Sequence, residues 1–229
     1  MGFAPEREFA WIVAGLGNPG PDYEGTRHNV GFEVVDRLAS RAPAAAGWIG
    51  ARRQRRLAVR FHDAEVYPRF FGSGVATRPV LLVKPQAYMN RSGDVLCAIC
   101  RACHVDVGDL LVIHDDLDFS PGVVRVKSGG GAGGHNGLRS IMALMGDAFL
   151  RVRVGVGKPP TGEGVSHVLS PFSTAERGSI DRAVDVAAGA VEAIVSQGID
   201  QAMQMYNRKM PREIAFSGGD DTSGQSRSS

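Results

Sequence analysis

At 229 residues, 43% of them hydrophobic and 22% charged, the chain is long enough for one good core and short for two complete domains. A net charge of +2 and a pI near 8.5 are too mild to mark a nucleic-acid binder by themselves, and no run approaches the roughly 18 apolar residues of a membrane span. The acidic residues of "MGFAPEREFAWIVAGLG" argue against a signal peptide, and three cysteines clustered between Cys97 and Cys103 make no disulfide framework, so a cytoplasmic, reducing setting is expected.

In chain order, "FAWIVAGL" predicts a buried strand ending in glycine, followed by a loop from Gly17 to His28. A helix is expected from Asn29 through "NVGFEVVDRLASRA", where apolar residues recur at helical spacing. "APAAAGWIG" reads as a connector, and "ARRQRRLAVRFHDAEVYPRFF" as a basic run with one or two exposed strands. "RPVLLVKP" predicts a second buried strand stopped by Pro85. A helix from about Asn90 to His104, strands in "DLLVIHDD" and "VVRVKS", a glycine-rich loop, a helix in "GLRSIMALMG" and a strand in "RVRVGVG" follow. "PFSTAERGSIDRAVDVAAGAVEAIVSQG" predicts a long amphipathic helix, and "DQAMQMYNRKM" a last helical turn or two. From Ser217 the chain has almost nothing to bury and reads as disordered. The alternation predicts one three-layer α/β domain over 1–216, with a twisted, mixed, largely parallel sheet flanked by helices, and a tail over 217–229.

The segment "GLGNPG" spells G-x-G-x-x-G, but it does not fit a dinucleotide site. Pro19, Gly20, Pro21 and Gly25 occupy the stretch where the phosphate-binding helix should run, and Asp36 falls inside a helical pattern rather than closing the next strand. The plainer reading is a shaped turn at the carboxyl end of a strand, where open α/β sheets place ligands. That turn carries Asn18, Tyr23, Arg27, His28 and Asn29. In "KPQAYMNRSG", Asn90 or Ser92 can cap the following helix. In "VIHDDLDFSPGVVRVKSGGGAGGHNG", the residues His114, Asp115, Asp116 and Asp118 can be read as a Mg²⁺ site or as turn formers. The glycine run lacks the G-K-[ST] ending of a P-loop and delivers His135 and Asn136 to a helix start. Cys100 to His104 spells C-x-x-C-H, the c-type haem signal, yet it lies along a helix where cysteine packs as a small apolar residue.

Together, "VAGLGNPGPDYEGTRHNVGF", "KPQAYMNRSG", "HDDLDFSPGVVRVKSGGGAGGHNGL" and "RVRVGVGKP" resemble the bacterial-type peptidyl-tRNA hydrolases, in that family's order from Val13 to Pro159. One departure is Ala87, where the family usually has threonine. The resemblance implies a monomeric α/β enzyme, without metal or organic cofactor and with no obligate protein partner, that hydrolyses the ester between peptide and tRNA in peptidyl-tRNA. It implies His28 as general base and Asp115 as its partner. It also implies Asn18, Asn90 and Asn136 as groups that bind the peptide backbone or position water, with Tyr23, Tyr88 and Met89 lining the cleft. Lys127 and Arg153 match basic positions expected to contact tRNA phosphate, and Arg139 and Arg151 are further candidates. The residue types suit that chemistry, since a neutral imidazole takes protons near pH 7 and amides both donate and accept without selecting side chains. Without a serine or cysteine in a nucleophile elbow, direct attack by water is expected. Some organellar members of this fold act in RNA splicing instead of hydrolysis, and retention of His28, Asp115 and the three asparagines favours an enzyme.

Overall fold

The computed structural model describes residues 8–42, 63–72, 77–159 and 163–208; the basic run at 51–60, most of the connector before it and the expected tail from Ser217 lie outside the described residues. Six strands form one sheet: β1 (Trp11–Gly15), β2 (Ala64–Phe71), β3 (Arg78–Pro85), β4 (Leu110–Asp116), β5 (Val124–Ser128) and β6 (Leu150–Gly155). Their order is β2-β3-β1-β4-β6-β5. The four central strands are parallel, and an antiparallel strand closes each side. The mixed, largely parallel sheet expected from the sequence is therefore present.

Because the central strands are covered on both faces, they read as continuous apolar runs rather than as alternation. Ile12, Ala14, Leu110 and Val112 face one layer, built from α2 (Ser92–Cys103) and α3 (Asn136–Met145). Val13, Leu111 and Ile113 face the other, built from α1 (Val30–Arg41) and α5 (Thr174–Gln197). Between β6 and α5 lies a short helix, α4 (Gly164–Val168), that the sequence pattern does not announce. The predicted long helix begins at Thr174 rather than Pro171, with Ser173 and Glu176 forming a reciprocal capping box. The last helical turns are α6 (Ile199–Tyr206). No helix among the described residues is long and apolar enough to cross a membrane.

Two glycines explain the turn after β1. A Cβ on Gly15 would lie 2.1 Å from the Gly31 carbonyl oxygen, and one on Gly31 would lie 2.5 Å from Leu16 N and 2.6 Å from Ile113 O. Strand β1 and the start of α1 thus meet backbone to backbone, which draws residues 27–29 over the ends of β1 and β4. The first glycine of the G-x-G-x-x-G serves this close approach and not a pyrophosphate. Gly31→Ala is expected to destabilise the fold by about 1 to 3 kcal/mol through overpacking, read as a lower midpoint in thermal unfolding; an unchanged midpoint would show that the two backbones can part freely.

Candidate active site

The sheet's strand order reverses between β1 and β4, and the carboxyl ends of the parallel strands open at that point onto a cleft of about 850 Å³. Asn18 follows β1, His28 follows the turn, Tyr88, Met89 and Asn90 follow β3, and His114 and Asp115 end β4; all line it. Lys127, His135, Asn136 and Arg153 line it as well. Tyr23, expected to line the cleft, is not among its lining residues and instead packs edge-on against Tyr88, the ring centroids 6.3 Å apart.

His28 sits in a 3-10 turn, Arg27–Asn29, and is buried. Its Nδ1 lies 2.7 Å from Oδ1 of Asp115, which is 4% exposed. Burial alone would raise the Asp115 carboxyl, yet the His135 and His28 imidazoles against it hold it well below the usual carboxylate range. An ionised carboxylate only accepts, so His28 donates from Nδ1 and its Nε2 is left as the nitrogen able to take a proton. The neighbouring turn is anchored independently. Arg27 forks onto both carboxylate oxygens of Glu176 at 2.9 and 2.8 Å and donates to the Pro171 carbonyl at 2.8 Å. Burial would raise the Glu176 carboxyl, but hydrogen bonds from Ser173 and Arg27 bring it down to about 2, so this anchor persists through ordinary acid.

The three asparagines differ in what they leave free. The Asn29 side chain pairs with the Asn18 backbone like a neighbouring strand, accepting from its N at 2.8 Å and donating to its O at 3.0 Å. The Asn18 Oδ1 accepts from Met89 N at 2.8 Å. The amide orientation of Asn18 is thereby fixed, with Nδ2 left to donate. Asn90 does not cap α2, the alternative its place in the sequence allows. The helix starts two residues later, after a 3-10 turn Met89–Arg91, with no side-chain cap, and Ser92 Oγ donates to Met89 O at 2.9 Å. Asn136 opens α3 and is exposed, its Oδ1 3.3 Å from an Arg139 Nη1 donor.

The charged residues divide sharply. Lys127 is exposed at the cleft. Arg153 Nε donates to Asp116 at 2.6 Å while its guanidinium lies over the Phe119 ring at 4.6 Å, so only part of the fork faces solvent. Arg151 is no phosphate arm: it is buried, and it holds the glycine loop by donating to the carbonyls of Gly131, at 2.6 Å, and Gly130. The acids read as a possible Mg²⁺ set do not converge, since Asp116 pairs with Arg153 and Asp118 with Lys158. Among the described residues, one group has metal-ligand spacing: His28, Asp115 and His135. Of these, His135 accepts two backbone N–H groups at Nδ1, which puts its proton on the Nε2 that faces the carboxylate and leaves no lone pair on that nitrogen for a metal. Cys100 and Cys103 pack in the core from the buried face of α2, and burial beside Cys103 and Cys97 pushes the Cys100 thiol up to about 12. His104 is the left-handed cap of that helix, so C-x-x-C-H is packing and capping.

Two residues carry more of the site than their sequence context indicates. Asn29 reads in the sequence only as part of a polar turn. His135 reads only as delivered to a helix start, yet its Nε2 lies 3.0 Å from Asp115 Oδ1. The local signal for both is a polar side chain immediately before a helix, Asn29 before α1 and His135 before α3.

Residues 12–213 match the family model for Peptidyl-tRNA hydrolase. A Peptidyl-tRNA hydrolase of Streptomyces coelicolor is 46% identical over 198 residues, covering 86% of this chain and 94% of the relative. That of Geobacter sulfurreducens is 42% identical over 200 residues, covering 86% and 95%. Among solved structures, the peptidyl-tRNA hydrolase of Acinetobacter baumannii superposes with a TM-score of 0.72 at 36% identity, covering 86% of this chain and 94% of that one.

Proposed function

This chain belongs to the peptidyl-tRNA hydrolase family and hydrolyses peptidyl-tRNA, and we propose that His28 is the general base that activates water for the reaction. The observation that carries this reading is the pairing of His28 Nδ1 with the buried Asp115 carboxylate at 2.7 Å, which leaves Nε2 as the basic nitrogen of a cleft-lining residue. Water attacks the ester carbonyl carbon as its proton passes to Nε2, and Asp115 balances the imidazolium. The tetrahedral intermediate then expels the ribose oxygen, which takes that proton back, releasing tRNA and peptide. Asn18, with Oδ1 committed to Met89, faces substrate as a donor from Nδ2, suited to a carbonyl oxygen gaining negative charge. Asn90 and Asn136, both exposed and lining the cleft, read the peptide main chain, with Tyr88 and Met89 beside it and Tyr23 packed against Tyr88. Direct attack by water is supported by what surrounds the base: Ser92 is buried and spent on Met89 O, and the cysteines are buried on α2 and do not line the cleft.

The tRNA contact falls to Lys127 and Arg153, cations that line the same cleft. A release assay with N-blocked and unblocked aminoacyl-tRNA tests the whole reading. The unblocked ester brings a charged amine where the site offers neutral amides, and a buried polar partner left unsatisfied costs about 1 to 3 kcal/mol, or about 5- to 150-fold in rate. Blocked substrate is therefore expected to be strongly preferred. Lys127→Ala and Arg153→Ala should weaken binding of both esters alike and lower the salt slope by about one each. Equal turnover of the two esters by folded enzyme would overturn the assignment of the asparagines.

A further inference from the structure

Two imidazoles share one oxygen. Asp115 Oδ1 takes His28 Nδ1 at 2.7 Å and His135 Nε2 at 3.0 Å, and the two rings stand 4.9 Å apart. A single negative charge thus faces two residues that can each become cationic. What separates them is the other nitrogen. The His135 Nδ1 accepts from the backbone N–H groups of Gly137, at 3.1 Å, and Leu138, at 3.4 Å, in the first turn of α3. A nitrogen that accepts two N–H groups carries no hydrogen of its own, so the proton of neutral His135 is on Nε2 and points at Asp115. A second proton would have to enter Nδ1, against two backbone donors and the positive end of a helix. His28 Nε2 has no such barrier among the described residues.

We infer that His135 is a positioning residue: its tautomer is fixed by the N-terminus of α3, so that it holds the Asp115 carboxylate with a neutral N–H and leaves the negative charge to the imidazolium that forms on His28. The inference rests on the reading of His28 as base. The other groups facing His135 agree with it. The His114 ring meets it edge-on at 5.1 Å from β4 and is itself neutral, since burial and the nearby His135 bring it down to about 3. Behind His114, Arg151 of β6 is tied to the glycine loop, and from the Met89–Arg91 turn the uncharged Met89 closes on Gly137. No cation and no second carboxylate is in hydrogen-bond contact with the His135 ring among the described residues. His135 thus does for Asp115 what a helix cap and a hydrogen-bond donor do separately, with one side chain that is 7% exposed.

The test uses the full chain with ¹⁵N-labelled histidine. Long-range ¹H–¹⁵N spectra across pH 5 to 9 should show His135 as the Nε2–H tautomer throughout, while His28 passes from the Nδ1–H tautomer to the doubly protonated form as pH falls. A His135 carrying its proton on Nδ1, or taking up a second proton before His28 does, would overturn the inference. His135→Asn supplies the activity arm, because asparagine still caps a helix but is too short to reach Asp115. Turnover should fall about tenfold, the scale of one hydrogen bond to an ionised group, with KM within about twofold and the acid limb of the rate profile displaced. A variant with wild-type turnover and profile would reduce His135 to a cap and sink the proposal. Failure of the premise looks different: full turnover in His28→Ala would remove the base and leave the His135 tautomer as observed.

Discussion

Replacing His28 with Ala is expected to lower kcat by about 10² to 10⁴, the usual worth of a positioned general base, with little change in KM or in tRNA affinity. As the proposed base, the buried His28 imidazole would act on water, while the phosphate contacts proposed for Lys127 and Arg153 fall to other residues lining the cleft. Loss of the ring should not let the turn collapse. Arg27 secures it through Glu176, Pro171 and Ser170, and Asn29 secures the facing strand end through both backbone groups of Asn18. The measurement is single-turnover release from an N-blocked aminoacyl-tRNA, with a thermal unfolding curve to establish that the variant is folded. Folded His28→Ala that releases peptide at the wild-type rate would end the assignment. Added imidazole that restores part of the lost rate would support it, because the only thing supplied is a base at that place.

The parts of the fold that are legible in the sequence share a physical cause. β1, β3 and β4 are buried on both faces, so "WIVAG", "PVLLV" and "LLVIH" are uninterrupted apolar runs. The elements that escape a reading of the sequence are too short to show a period: the five residues of α4, and the 3-10 turns Pro21–Tyr23 and Arg27–Asn29. The start of α5 lies three residues beyond the expected one, although "STAE" holds a capping-box signal that places it. The site divides in the same way. That the end of β1 carries a ligand turn follows from glycines and polar residues after an apolar run. That His28 meets Asp115, 87 residues away, follows from no spacing; the family resemblance supplies it, and the backbone contact of Gly15 with Gly31 is what brings it about. Asn90 can be read as a cap because caps and substrate groups use the same residue types, and only the position of the helix start separates them.

Asp115→Asn tests the charge rather than the shape. The amide occupies the same space, and its single oxygen can still accept, but it cannot balance an imidazolium in a site where Asp115 is 4% exposed. If the amide turns, its NH₂ faces His28 Nδ1, which must then accept; the ring proton moves to Nε2, and the nitrogen needed as base is blocked. Either outcome predicts a fall in kcat of about 10² to 10⁴ with KM nearly unchanged, as expected for an interaction made chiefly in the transition state. The low-pH arm of the rate profile should also move, because base and carboxylate titrate as a unit. Stability supplies an independent reading. The Asp115 carboxyl is held below its unfolded value, so the native state binds fewer protons there than the unfolded chain does. Its contribution to stability is therefore present above about pH 4 and is lost as pH falls below that toward the folded value. The Asn variant lacks this titration, and its unfolding free energy should fall less steeply with acid than that of the wild type. Unchanged turnover together with an unchanged acid slope would mean that the carboxylate at Asp115 carries no charge the site uses, and His28 would then need another partner.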